Sequence, residues 1–241
     1  MQLKIGYDYD IMVRKEQYFY QDISPLKVMY LSDFHFNAFN GGLVLKIIKL
    51  INHYNPDILL LGGDYVDTKK GLQHFIRLLY TISDRKNVFA VAGNHDYFFG
   101  INTIRNLIFD NNIKWIERSS VSICVENKII QIDGNITSCN KAPPNCLKIL
   151  CLHQPIDITK VASSYNMAFA GHLHGCQIVF WQNEKGLFPG RYFYRWNILK
   201  KQIGNCHYYI SKGLGDMLPV RFNCSPEVIV VNVFSKYNDY I

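Results

Sequence analysis

Short apolar segments alternate with amphipathic segments through the first half of the chain, and this alternation limits the folds that it can adopt. Continuous apolar runs, typical of strands covered on both faces, lie at 26–33, 57–64 and 87–96. Apolar residues at helical spacing follow them at 41–55, 71–85 and 101–112. A strand-helix-strand-helix order predicts βαβ units with right-handed crossovers.

The second half is richer in predicted strands. Segment 121–134 is typical of a hairpin that turns at Glu126 and Asn127, and a helix is expected over 155–165. Further strands are expected at 147–154, 166–175, 177–181, 206–213 and 227–234. Two strand-rich halves with helices between them predict two packed sheets with helices outside. The sequence has no linker-like tract, so we expect one domain over residues 1–241.

Five of the apolar segments end in polar residues. These residues are Asp33 and His35, Asp64, Asn94 with His95 and Asp96, His153, and His172 with His174. In open α/β sheets ligands bind outside the carboxyl ends of the strands, so these side chains are expected to meet there. For Asp33 and His35, and again for His172 and His174, the spacing of two predicts that both side chains project from one side of an extended chain.

The residue types in these clusters indicate a metal site. Carboxylate, amide and imidazole groups without thiolate suit Mn, Fe, Zn, Co or Mg. Even if only seven of these nine residues are ligands, they are too many for one ion. They suit a pair of ions with a bridging carboxylate. Two ions about 3.5–4 Å apart can hold the attacking and departing oxygens of a phosphoryl group.

Five sequence blocks in this order resemble those of the calcineurin-like metallophosphoesterases. The blocks are SDFHFN at 32–37, GGDYVD at 62–67, GNHD at 93–96, LHQP at 152–155 and GHLHG at 171–175. The tail at 208–233 is similar to a bacterial subgroup of membrane-associated phosphodiesterases, which includes a hydrolase of UDP-2,3-diacylglucosamine in lipid A synthesis. The resemblance implies a four-layer α/β/β/α sandwich of two mixed sheets flanked by helices.

The resemblance also implies a role for each matching residue. One ion would be held by Asp33, His35 and His174, the other by Asn94, His153 and His172, with Asp64 bridging them. His95 would protonate the leaving oxygen or stabilise phosphoryl charge, and Asp96 would orient His95. Asp67 is expected to be a structural acid or one that contacts a ligand, with a helix N-cap or a solvated acid as alternatives, rather than a ligand itself. Arg221 and Asn223 would either shape the substrate pocket or hold the metal-bearing loops.

The expected activity is hydrolysis of a phosphodiester or pyrophosphate bond by in-line attack of a metal-bridging hydroxide. The subgroup favours a lipid-linked substrate such as UDP-2,3-diacylglucosamine, with two divalent ions, of which Mn is preferred over Fe or Zn. One alternative is a general phosphodiesterase or nucleotidase that acts on soluble substrates. Another is a non-catalytic scaffold, which is disfavoured because every ligand and His95 are present.

Composition constrains the partners and the cellular location. The net charge of +7 is spread along the chain, which suits an anionic substrate or an acidic membrane surface rather than nucleic acid. Seven cysteines without a CxxC pair favour a reduced, cytoplasmic chain, with peripheral contact at the inner face of the membrane as an extension of that expectation. The aromatic segment at 188–197 is expected to pack in a core, with a lid or a membrane-facing loop as alternatives.

Overall fold

The structure is a computed structural model that describes residues 2–7, 9–136 and 145–236. The strands are β1 (Leu3–Ile5), β2 (Met12–Gln21), β3 (Leu26–Leu31), β4 (Ile58–Leu61), β5 (Val88–Ala90), β6 (Lys114–Trp115), β7 (Ser119–Val125), β8 (Lys128–Gly134), β9 (Leu147–Cys151), β10 (Met167–Ala170), β11 (Val179–Asn183), β12 (Gly186–Pro189), β13 (Lys200–Ile203), β14 (Cys206–Ile210), β15 (Val220–Phe222) and β16 (Glu227–Lys236). The α-helices are α1 (Gly41–Tyr54), α2 (Lys69–Ile82), α3 (Asn94–Phe99), α4 (Ile101–Asp110) and α5 (Gly190–Phe193).

Two six-stranded sheets form the centre of the molecule. The first has the order β2-β16-β3-β4-β5-β6 and the second the order β13-β14-β10-β9-β8-β7. Strands β3, β4 and β5 are parallel, as the βαβ prediction requires, while β16 runs antiparallel to β3. In the second sheet β8, β9, β10 and β14 are parallel. Both sheets are therefore mixed, and the predicted fold class is confirmed.

Three hydrophobic layers hold the sheets and helices together. Helices α1, α2 and α4 pack on the outer face of the first sheet, where Ile47, Phe75 and Ile108 are fully buried. The inner faces of the two sheets meet in a second core that contains Tyr30 and Phe169. Continuous apolar strands are explained by this arrangement, because both faces of the central strands are covered.

The outer face of the second sheet is covered by shorter elements than expected. The helix predicted over 155–165 is wrong in kind, because two turns of 3₁₀ helix, Ile158–Lys160 and Ala162–Ser164, replace it. The predicted apolar positions are nevertheless the buried ones, since Ile158, Val161 and Tyr165 all pack against this sheet. Short 3₁₀ turns can place such residues on one face without a continuous α-helix.

Several elements escaped sequence-based prediction. The longest is β2, a charged and aromatic strand at the edge of the first sheet that pairs in parallel with β16. Its Arg14 donates hydrogen bonds to the backbone oxygens of Leu199 and Ile210, which links the edges of the two sheets. Among the described residues, the structure has no helix with the length and apolar character needed to cross a bilayer.

Candidate metal centre

Six of the seven proposed ligands lie in the turns that follow strands, and Asn94 is the first residue of α3. Five of the seven have a positive φ angle, namely Asp33, His35, Asp64, His172 and His174. Non-glycine residues adopt this conformation infrequently, and it is concentrated at functional sites. The prediction that a strand spacing of two aligns Asp33 with His35 is therefore wrong in its geometry. Strand β3 ends at Leu31, and left-handed turns bring the two side chains together instead.

Asp33, His35 and His174 form a first group of ligand atoms within 4.8 Å of one another. All three residues are buried, and the Nε2 atoms of His35 and His174 lie 3.1 Å apart. The Ser32 hydroxyl donates to Asp33 Oδ2 at 2.6 Å, and the backbone N–H of His172 donates to Oδ1 at 2.8 Å. These donors hold the carboxylate in one orientation.

Asp64, His153 and His172 form a second group of the same dimension. His153 Nε2 lies 2.9 Å from Asn94 Oδ1 and 3.2 Å from His172 Nδ1, so the predicted amide ligand joins this group. The carbonyl oxygen of Gly62 accepts from His153 Nδ1 at 2.8 Å, which leaves Nε2 directed towards Asn94 and His172.

Asp64 lies between the two groups. Its Oδ2 atom is 3.7 Å from His35 Nε2 and 3.3 Å from His153 Nε2. Its Oδ1 atom accepts from the backbone N–H of His95 at 2.8 Å. A carboxylate with one oxygen facing both imidazoles is suited to bridge two cations.

Close backbone approach makes this arrangement dependent on glycine. A Cβ atom on Gly93 would contact Asp64 Oδ1, and one on Gly171 would contact Asp33 Oδ2. Each glycine precedes a turn that carries ligand candidates, and a larger residue would displace the carboxylate it faces.

The donor set fits divalent cations. The candidate ligands offer carboxylate, amide and imidazole donors and no thiolate, a set that Mn, Fe and Zn accept. Imidazole nitrogens also face one another at 3.1 Å (His35 and His174) and 3.2 Å (His153 and His172), and each pair can share one N–H as a hydrogen bond. A divalent cation bound by both nitrogens of a pair would take the place of that proton.

The electrostatics of the ligands reflect this crowding. Burial opposes protonation of His153, but the hydrogen bond and the charge of Asp64 raise its pKa to about 9. For Asp64, burial raises the pKa, and the hydrogen bond and charge of His153 outweigh it, so the pKa falls below its ordinary value. Burial and the neighbouring His35 lower the pKa of His174 strongly, so this imidazole stays neutral and able to bind a cation.

Asp67 occupies one of the positions expected for it, that of an acid that contacts a candidate ligand. It is not the cap of helix α2, because Thr68 Oγ1 accepts from the backbone N–H of Gly71. Instead, Asp67 Oδ1 lies 2.9 Å from His35 Nδ1 and 3.1 Å from His95 Nδ1. Asp67 therefore joins a proposed ligand to the proposed proton donor. The GDYVD spacing was the available signal, since it places Asp67 three residues after Asp64.

The expectation that Asp96 orients His95 is wrong. Asp96 is fully buried and accepts hydrogen bonds from the backbone N–H groups of Gly93, Asp64 and Tyr65. These contacts turn its carboxylate towards the turn after β4, away from the imidazole next to it in sequence. Burial raises the pKa of Asp96 to about 7, against the backbone donors that lower it.

Arg221 holds the loop that lies behind Asp33 and His35. The loop contacts them through Gly215, whose N–H donates to the Asp33 carbonyl oxygen at 2.6 Å. Arg221 is fully buried, pairs with Asp216 and donates to the carbonyl oxygens of Lys212, Gly215 and Cys224. Of the two roles left open for this residue, the structure supports that of holding a loop beside the ligands. Asn223 instead exchanges hydrogen bonds with Gln2 and so fixes the start of β1.

Comparisons with known proteins show which family this chain resembles. Residues 26–212 match the family model of the calcineurin-like phosphoesterases. The phosphodiesterase YaeI of Escherichia coli is 26% identical over 246 residues, which cover 93% of this chain and 88% of that protein. The uncharacterized metallophosphoesterase Cj0846 of Campylobacter jejuni is also 26% identical, over 88% of this chain but only 60% of its own length.

Solved structures share the fold at low sequence identity. The 5′-nucleotidase precursor from Thermus thermophilus superposes with a TM-score of 0.51 and 11% identity, over 80% of this chain and 50% of that one. The matched family model spans all five ligand-bearing turns, from the turn after β3 to the turn after β10. The chain belongs to the calcineurin-like phosphoesterase family, whose chemistry is the metal-dependent hydrolysis of phosphoesters.

Proposed function

We propose that this protein hydrolyses a phosphodiester or pyrophosphate bond in a lipid-linked substrate such as UDP-2,3-diacylglucosamine, at a centre of two divalent ions. The observation that carries the proposal is the position of Asp64, with one oxygen facing His35 of the first ligand group and His153 of the second. The ligands would be Asp33, His35 and His174 for one ion and Asn94, His153 and His172 for the other, with Asp64 shared. Mn is the first metal to test, followed by Fe and Zn.

When bound, the ions would supply Lewis acidity that neutralises phosphoryl charge and makes water more acidic. The side chains of the chain itself have separate tasks. His95 is partly exposed beside both groups and would donate a proton to the leaving oxygen. Asp67 accepts from His95 Nδ1, which leaves Nε2 free to carry that proton towards the substrate. Asp96 would keep the turn after β4 and the start of α3 in register.

Exposed apolar side chains close in sequence to the candidate site residues support an amphiphilic substrate. Phe98 is 87% exposed, one turn of helix after His95, and Phe39 is 78% exposed, four residues after His35. Met217 and Leu218 are exposed at the end of the loop that backs Asp33. Exposed apolar residues are typical of surfaces that meet lipid or protein, and Phe98, whose ring contacts that of His95, lies beside the centre. With the net charge of +7, this arrangement also supports peripheral contact with an acidic membrane.

We further propose that residues 1–241 act as one domain. What supports this is the shared core between the sheets, which joins strands from both halves of the chain. The site itself draws side chains from the turns after β3, β4, β9 and β10 and from the start of α3.

The proposal is tested by offering metal-loaded protein three substrates: UDP-2,3-diacylglucosamine, bis-p-nitrophenyl phosphate and a cyclic nucleotide. Release of UMP from the first, at a higher kcat/KM than turnover of the others, would support the lipid-linked substrate. Preference for the soluble esters would replace it with a general phosphodiesterase, as the name of the E. coli relative suggests. Inactivity on every ester with Mn, Fe and Zn would revive the non-catalytic scaffold.

A further inference from the structure

A cavity of about 460 Å³ lies between strand β12, helix α5 and strand β13. None of the seven proposed metal ligands lines it. Its lining residues are Glu184, Lys185, Phe188, Arg191, Tyr192, Arg195, Trp196, Ile198, Lys200 and Lys201. The volume is within the range of small-molecule sites, and the site is separate from the one proposed for catalysis.

The cavity carries an excess of positive charge. Five of its ten lining residues are basic and one is acidic. Lys200 pairs with Glu16 at 2.8 Å, and Arg195 pairs with Asp157 at 3.3 Å. Within residues 2–7, 9–136 and 145–236, the remaining three basic residues pair with no carboxylate; they are Lys185, Arg191 and Lys201. Like charges that converge on one cavity repel each other, and a bound anion would relieve that repulsion.

Aromatic rings form the walls between these cations. The Arg195 guanidinium carbon lies 5.1 Å from the centre of the Trp196 ring, and Lys201 Nζ lies 5.3 Å from it. The ring centres of Phe188 and Tyr192 lie 5.1 Å apart in an edge-on arrangement. Phe188 also stacks on Trp181, which does not line the cavity. Two cations on one indole are each oriented by the ring and remain available to a ligand.

Backbone contacts hold the cavity in this shape. Asn197 is buried, and its side-chain amide donates to the carbonyl oxygen of Leu187 at 2.9 Å. The Leu187 N–H in turn donates to the Asn197 carbonyl oxygen, and Arg191 Nε donates to the Lys185 carbonyl oxygen. The segment that carries the cations is therefore tied to itself at both ends of α5, which lowers the entropic cost of binding a ligand.

We propose that this cavity binds the phosphate group of a phosphorylated ligand, as a second site beyond the hydrolytic centre. A phosphate monoester carries up to two negative charges and three strong acceptor oxygens, which match three cations without carboxylate partners. The aromatic walls would contact the apolar part of the same ligand. The phosphate could be supplied by the headgroup of an anionic phospholipid or by a soluble compound, since both present the same chemistry.

The test compares three metal-loaded proteins: wild type, Lys185→Gln/Lys201→Gln, and the charge-matched control Lys49→Gln/Arg77→Gln. The control residues lie exposed on α1 and α2, far along the chain from the cavity. Binding to phosphatidylcholine vesicles with and without phosphatidic acid is measured by sedimentation. Binding of inorganic phosphate is measured by tryptophan fluorescence, because Trp196 lines the cavity. Phosphate at the metal centre contributes equally in all three proteins, so the difference between variants isolates the cavity.

We expect the cavity variant to bind one of the two probes about tenfold or more weakly than the control does. Loss confined to phosphatidic acid vesicles identifies a lipid headgroup, and loss of inorganic phosphate binding identifies a soluble ligand. Equal binding by the cavity variant and the control, or no binding by wild type, would overturn the proposal. Hydrolysis of bis-p-nitrophenyl phosphate should be unchanged in the cavity variant, so failure of the catalytic proposal is distinguishable from failure of this one.

Discussion

The turns that carry the proposed ligands and the cavity segment at 184–201 differ in which side chains they bury and which they expose. The turns bury carboxylates and imidazoles and hold them with backbone N–H groups, as Asp96 illustrates with three such donors. Most aromatic and basic side chains of the cavity segment are exposed, and Lys185 and Lys201 have no carboxylate partner among the described residues. Buried polar groups therefore contribute to both chemistry and stability, while exposed cations are expected to affect binding alone.

The sharpest contrast between the two regions should be catalytic. Asp64→Ala removes the carboxylate that faces both ligand groups, and we expect kcat/KM on bis-p-nitrophenyl phosphate to fall by about 10³-fold or more. Removing the metal with a chelator should have the same effect, and adding Mn should reverse it only in wild type. A variant that kept activity within tenfold of wild type would contradict the bridging role.

The next largest difference between the two regions should be in how far a substitution changes the free energy of unfolding. Arg221→Leu leaves Asp216 buried and unpaired, so we expect the free energy of unfolding to fall by about 3–5 kcal/mol. Lys185→Gln in the cavity segment should change it by less than about 0.5 kcal/mol. Urea unfolding measures both, and Arg221→Leu/Asp216→Leu should recover part of the loss because no buried charge remains. Equal effects of the two single variants would remove the distinction.

A smaller catalytic effect is expected when a positioning residue is changed. Asp67→Asn keeps the size of the side chain but removes the charge shared by His35 and His95, and metal affinity or kcat/KM should fall about 10–100-fold. The matched control is Asp157→Asn, which removes a partly exposed acid paired with Arg195 outside the centre. The pH profile of kcat should shift in Asp67→Asn alone, and unaltered profiles in both variants would argue against this role.

The smallest effect concerns pH. Burial and the charge of Lys200 lower the pKa of His207, so protonation favours the unfolded chain. The stability that neutral His207 contributes is full above about pH 6.5 and is lost as the pH falls through the lowered pKa. Between about pH 7 and pH 5, the melting temperature of His207→Gln should therefore fall by less than that of wild type. An identical loss in wild type and variant would show that His207 does not titrate differently on folding.

Sequence patterns were sufficient to predict a strand or helix where it has a continuous apolar run or one apolar face. Strands β3, β4 and β5 lie within the predicted apolar runs, and α1 ends within one residue of its predicted end. Strand β2 was missed because an edge strand with charged and aromatic residues lacks a continuous apolar run. The helix expected over 155–165 was wrong because apolar spacing alone does not distinguish an α-helix from successive 3₁₀ turns.

By itself, the sequence determined the fold class and the residue types at the strand ends, because both depend on local patterns that survive in a linear chain. Only the tertiary structure decided which acid faces His95. Asp96 is next to His95 in sequence but binds backbone N–H groups, whereas Asp67, from the turn after β4, contacts the imidazole. It also decided the geometry of Asp33 and His35, which depends on left-handed turns held by contacts from distant strands. Hydrogen-bond partners and positive φ angles are set by packing between segments far apart in sequence, and no local pattern encodes them.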